Sequence, residues 1–120
     1  MNTFRFLNFP VYGKSKDFYK RILRVVAKID DYGLKDQIRR AALSIILNLA
    51  EGSAKISDKE FSRFLQLSLW SVNEVVACLD VMADNGYIDK AEFLSLYREA
   101  EDIARQLGGL FKRVKQSCDK

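Results

Sequence analysis

Histidine is absent from this 120-residue chain, proline occurs once, glycine six times and cysteine twice. Without histidine there is no Ser-His-Asp triad, and the commonest general base and metal ligand near neutral pH is missing. No glycine-rich phosphate loop is present, and the carboxylates lack the Glu-x-x-His partners of di-iron bundles. The expectation is a protein with no catalytic residue, no cofactor and no metal. So little proline and glycine excludes collagen-like and low-complexity chains and suits a helical one. Cys78 and Cys118 lie too far apart to suggest a disulfide framework and read as reduced thiols, Cys78 as a small buried one. Read as a run, no apolar stretch approaches the roughly 20 residues needed to cross a bilayer, so a soluble protein without membrane contact is expected. Met1-Asn2-Thr3-Phe4-Arg5 lacks the basic start, apolar middle and small-residue cleavage site of a secretion signal, which points to the cytoplasm.

What is present is apolar residue in helical order. At 48% hydrophobic the chain has the means to build one core, and its length predicts a single domain over 1–120. Helices are predicted at about 15–30, 34–51, 58–84 and 90–116, after an extended arm over 1–13 that contains Pro10. Phe18, Ile22, Val25 and Ile29 mark one face of the first helix, with Ser15 as its N-cap. Leu34, Ile38, Ala41, Ile45 and Leu49 mark the second, which Gly52 would close in a left-handed conformation. Ser57-Asp58-Lys59-Glu60 has capping-box spacing ahead of the third helix, whose Phe61, Leu65, Ser68, Val72, Val75, Leu79 and Met82 alternate by three and four. Asn85-Gly86 ends it, and Asp89 to Glu92 caps the fourth, with Phe93, Leu96, Ala100, Ile103, Leu107, Leu110 and Val114 in heptad positions. Gly108-Gly109 costs that helix about 1 kcal/mol per glycine relative to alanine unless a neighbour packs closely, and the helix is read as continuous. Short connections predict an all-α, antiparallel up-down-up-down four-helix bundle.

The second helix is greasy on more than one side. Ala42, Leu43, Ile46, Leu47 and Ala50 form a second apolar stripe, and a chain this short cannot wrap both. A homo-oligomer is therefore expected, with Leu43, Ile46 and Leu47 at the interface.

Charge is segregated along the chain. Residues 1–30 carry seven Lys or Arg against two acids, residues 57–102 carry four against ten, and residues 103–120 carry five against one. The predicted topology would bring the first and last of these blocks to one end, so that Lys14, Lys16, Lys20 and Arg21 share a surface with Lys112, Arg113 and Lys115; the candidate nucleic-acid contacts are Lys14, Lys16, Lys20, Arg24, Lys112, Arg113 and Lys115. Asp80, Asp84, Asp89 and Glu92 would gather at the other end. Segregated charge of this kind favours a strongly charged partner, and a symmetric ring of basic patches would hold structured RNA or DNA through its phosphates.

The run Tyr32-Gly33-Leu34, Gln37 to Ala42, Ser44-Ile45 and Asn48 to Gly52 carries a resemblance, continued by Ser57, Phe61, Phe64-Leu65, Ser71, Glu74 and Gly86-Tyr87-Ile88. It resembles the bacterial four-helix-bundle family first named for proteins encoded in intervening sequences of 23S rRNA genes. That family includes relatives of the accessory variability determinant, partner of reverse transcriptases in diversity-generating retroelements. The resemblance implies a homopentamer with a nucleic-acid-linked role and supplies no catalytic residue. Trp70 departs from the pattern, standing where glycine is usual before the matched Ser71, and Lys55 replaces a common arginine. Trp70 lies on a mostly polar strip with Arg63, Gln66, Asn73 and Ala77, which suggests either a partner interface or ordinary packing. Gln37, Arg40, Ser44, Asn48 and Glu51 form a polar stripe expected to meet Ser71 and Glu74 for register and assembly, with Arg39 and Arg40 turned towards Ser68, Ser71 and Glu74.

Two functions follow as expectations. The first is a non-enzymatic, oligomeric nucleic-acid-binding accessory protein, a candidate partner of a retroelement reverse transcriptase. The second is a protein-binding scaffold without direct nucleic-acid contact.

Overall fold

The computed structural model describes residues 3–55 and 57–118 and is all-helical there, with no strand among the described residues. A 3-10 turn over Arg5–Asn8 precedes four helices: α1, Pro10–Val26; α2, Tyr32–Ser53; α3, Asp58–Asp84; and α4, Lys90–Cys118. α2 packs on α3, α3 on α4, and α1 on both α2 and α4, in a body 48 × 23 × 21 Å.

The ends of these helices follow from local chemistry. Pro10 starts α1 at the first helical position, where its missing N–H is no loss and its fixed φ suits the helix. The expected extended arm is therefore short and partly helical, and Ser15 is no cap. Ser15 sits one turn inside α1, almost fully buried, with an Oγ that has no hydrogen-bond partner among the described residues. Asp31 caps α2 by accepting from the backbone N–H of Leu34 at 3.1 Å, and Ser57 caps α3 by accepting from that of Glu60 at 3.2 Å. The Asp89 carboxylate does the same for Glu92 at 2.8 Å.

Gly86, with φ +74°, is the glycine that makes a left-handed turn. Gly52 does not close α2 in that way, because it lies within the helix and is buried. A Cβ there would stand 2.6 Å from Cβ of Phe64 and 3.2 Å from the Phe61 ring. The residue is small because α3 crosses α2 at that point. Gly108 and Gly109 lie inside a continuous α4, and a Cβ on Gly108 would meet nothing within 4 Å.

The predicted core faces are buried along most of their length, with Leu34, Phe93, Leu110 and Val114 half-buried against the core. Phe18, Ile22, Ile38, Ile45, Leu49, Leu65, Leu79, Met82, Leu96, Ile103 and Leu107 are each under 2% exposed. By length and composition α3 could cross a bilayer, contrary to the reading of its sequence as interrupted runs. Its apolar face is covered by α2 and α4, while Arg63, Asn73, Glu74 and Asp80 are exposed, as on a core helix of a bundle.

Candidate functional site

The start of α1 lies beside the last turns of α4: Phe9, Pro10 and Val11 share a groove with Gln106, Gly109, Leu110 and Arg113. The first turns of α3 share another with Phe111 and Lys115. Basic side chains of α3 and α4 thus meet near one end, beside the apolar start of α1. Lys112, Arg113 and Lys115 are exposed there, and no carboxylate pairs with them among the described residues.

The other predicted contacts fare differently. Lys14 is bound to Asp102 at 2.5 Å, and Arg21 to Glu99 at 2.6 Å, so both tie α1 to α4. The Lys14 ammonium, followed by the Arg105 guanidinium, holds the Asp102 carboxyl below its ordinary range. Lys16 lies 4.8 Å above the Tyr12 ring, a cation–π contact that leaves its ammonium at the surface, and Lys20 is exposed. Arg24 does not join the group. It stands in the last turn of α1, about 15 Å along the axis from Lys14 at about 1.5 Å per residue, while Lys115 lies about 20 Å beyond Asp102 in the other direction. The seven residues are spread along α1 and α4, and Lys112, Arg113 and Lys115 are the dense end. At that end the sequence reading missed Lys59 and Arg63, one turn apart on α3 and brought against Lys115 by the packing of α3 on α4. Lys55 is there as well, 4.8 Å above the Phe64 ring, and Arg5 covers the Phe61 ring at 4.9 Å and donates to the carbonyl of Ser53 at 2.9 Å.

The polar stripe is assembled between α2 and α3. Gln37 donates to Glu74, the Ser71 hydroxyl donates to Ser44 Oγ at 2.9 Å, and Asn48 donates to the same Ser44 oxygen at 2.8 Å. Ser68 adds a bond to the carbonyl of Ile45 at 2.9 Å, and Glu51 reaches Lys55 at 3.7 Å. Arg39 and Arg40 do not join it. Both turn to Asp36 on their own helix at 2.9 Å, and Asp36 is held below its usual carboxylate range, chiefly by its hydrogen bond from Arg39. The reason is spacing: residues three and four apart on one helix meet more readily than a flexible arginine meets the next helix.

Of the expected interface residues, Leu43, Leu47 and Trp70 are 37%, 54% and 61% exposed. Ile46 is buried inside the protomer at 6% exposure and presents no surface to a partner. Cys78 is a free, buried thiol, and burial pushes its pKa up, with Glu74 adding to the effect. The other cysteine side chain, Cys118, lies outside the described side chains.

The family model for the 23S rRNA-intervening sequence protein matches residues 8–109. The chain belongs to this family. A crystal structure of a protein of unknown function from the S23 ribosomal protein family of Bacteroides thetaiotaomicron is similar, with a TM-score of 0.80 and 25% identity over 85% of this chain and 98% of that one. A search among curated proteins gives no match. Membership of the 23S rRNA-intervening sequence family agrees with the resemblance carried by Tyr32–Gly52, which lies wholly within the matched span. The matched span stops at Gly109, so the cationic residues of the last turns of α4 fall outside it.

Proposed function

We propose that this chain is a non-enzymatic accessory protein that assembles as a homo-oligomer, a pentamer, and holds structured RNA or DNA through its phosphates. The observation that carries the reading is the set of exposed cations Lys112, Arg113 and Lys115, which have no ion-pair partner among the described residues and are joined near the same end by Lys59 and Arg63. In this reading the bundle runs up-down-up-down with antiparallel neighbours, supported by the opposite residue order of the pairs Lys14–Asp102 and Arg21–Glu99 across α1 and α4 and of Gln37–Glu74 and Ser44–Ser71 across α2 and α3. Leu43 and Leu47 supply the apolar contact between subunits, and symmetry multiplies the basic end into a ring. A backbone-directed grip of this kind reads no sequence, because phosphate contacts fix position and base edges carry the code. Membership of a family named for ribosomal-gene intervening sequences supports a nucleic-acid-linked role. A reverse transcriptase of a diversity-generating retroelement is the protein partner suggested by the resemblance, and an adjacent reverse-transcriptase gene with a repeated template would select that role.

The test is binding of hairpin RNA and duplex DNA across a salt series. Each phosphate contact adds about 0.9 to the log-log slope on duplex DNA, so reversing the charge of Lys16, Lys20, Lys112 and Arg113 is expected to flatten the slope and weaken binding. Absence of binding at low salt, or equal binding by the reversed variant, refutes the reading. The exposed Trp70 favours a second reading, a protein-binding scaffold. A copurifying protein that resists nuclease and is lost on Trp70→Ala would support that instead.

A further inference from the structure

Trp70 is the single tryptophan of the chain, and it is 61% exposed at the edge of a groove of about 600 Å³ between the first half of α3 and the end of α4. Leu67 and Phe111, both half-buried, give that groove an apolar floor, and Lys59, Arg63 and Lys115 stand round it. One acid, Glu60, lines it, and no carboxylate lies within ion-pair distance of the three cations among the described residues. We propose that this groove binds a single-stranded stretch of nucleic acid, with a base stacked on the Trp70 ring and the flanking phosphates on Arg63, Lys59 and Lys115. The inference rests on the nucleic-acid reading above and names the form of nucleic acid that this part of the basic end takes.

Two features select a single strand. An aromatic face flanked by cations matches a polymer that alternates π-faces with negative charges, and any base offers such a face. In a duplex those faces are already covered by neighbouring bases, so only an unpaired segment has one to give the tryptophan. A second copy of the chain meeting this groove with its own would set three cations against three, which disfavours a self-contact across a twofold axis. Arg63 is one turn from Leu67 and two turns from Trp70 on the same helix, so a backbone running along α3 passes the guanidinium as its base reaches the ring.

The experiment uses the full chain in low salt. Titration with oligo(dT) and oligo(U) is followed by the fluorescence of Trp70 itself, and a labelled oligonucleotide measures affinity by anisotropy for wild type, Trp70→Phe, Trp70→Ala and Arg63→Glu. The expected results are quenching on binding, roughly fivefold or greater weakening in Trp70→Ala, retention of most binding in Trp70→Phe, and weaker, less salt-dependent binding in Arg63→Glu. Trp70 is exposed, so its replacement leaves the core intact, and circular dichroism checks this. Duplex binding without oligonucleotide binding, or a Trp70→Ala variant as tight as wild type, overturns the inference and leaves the broader reading standing. Failure of both nucleic-acid forms to bind overturns both. If Trp70→Ala lowers the mass of the assembly, a second copy fills the groove and the inference fails.

Discussion

At the scale of single residues, the tight helix crossing at Gly52 is the most informative. Gly52 leaves no room for a methyl group, since its Cβ would press on the Cβ of Phe64 and not on a movable side-chain end. Gly52→Ala is expected to lower stability by about 1–3 kcal/mol through overpacking, read as a shift in the urea midpoint at unchanged slope. The sequence points to Gly52 as a helix-closing residue, which is not its role, because a glycine near a helix end reads as a cap and close approach of another helix leaves no local mark. Asp102 gives a pH prediction. Its carboxyl is held below the ordinary 3.8 by Lys14 and Arg105, so folding favours the ionised form. The resulting stability is present above that value and is lost as acidification takes pH through the lower folded pKa. Thermal melts of wild type and Asp102→Asn are expected to differ by a constant amount from pH 7 to about pH 5 and to converge in more acid solution. A gap that widens on acidification would contradict this pairing.

At the scale of elements, the helices were legible wherever their signals were local. α3 begins and ends where predicted because Ser57 caps it and Gly86 turns out of it. α1 was misread because Pro10 resembles a breaker until it is placed at the first helical position, and Ser15 resembles a cap until its burial is known. The basic set was misjudged for a geometric reason. Arg24 is close to Lys20 in sequence, yet each residue advances the chain along its axis, whereas Lys59 and Lys115 are far apart in sequence and meet only because the ends of α3 and α4 do. Gly108 offers a prediction for α4. Nothing stands within 4 Å of its would-be Cβ, so Gly108→Ala is expected to raise stability by about 1 kcal/mol, measured by denaturant unfolding of the free protein. Loss of stability would mean that a second chain approaches the helix there.

For the whole molecule, assembly is the expectation that the two sides of α2 motivate most directly. One side is fully sheltered by the protomer, and the other leaves Leu47 more than half exposed with Leu43 one turn away. Sedimentation of wild type is expected to give about five times the 13.8 kDa protomer mass, and Leu47→Glu to give the single protomer. A monomeric wild type would end the ring model. One buried group also provides a kinetic reporter. Because Cys78 is buried and burial raises the pKa of its thiol, a thiol reagent reaches it chiefly when the helices part, so in a Cys118→Ser background its modification rate times how often this fold breathes. Any partner that clamps α2 to α3 slows that clock without touching the sulfur.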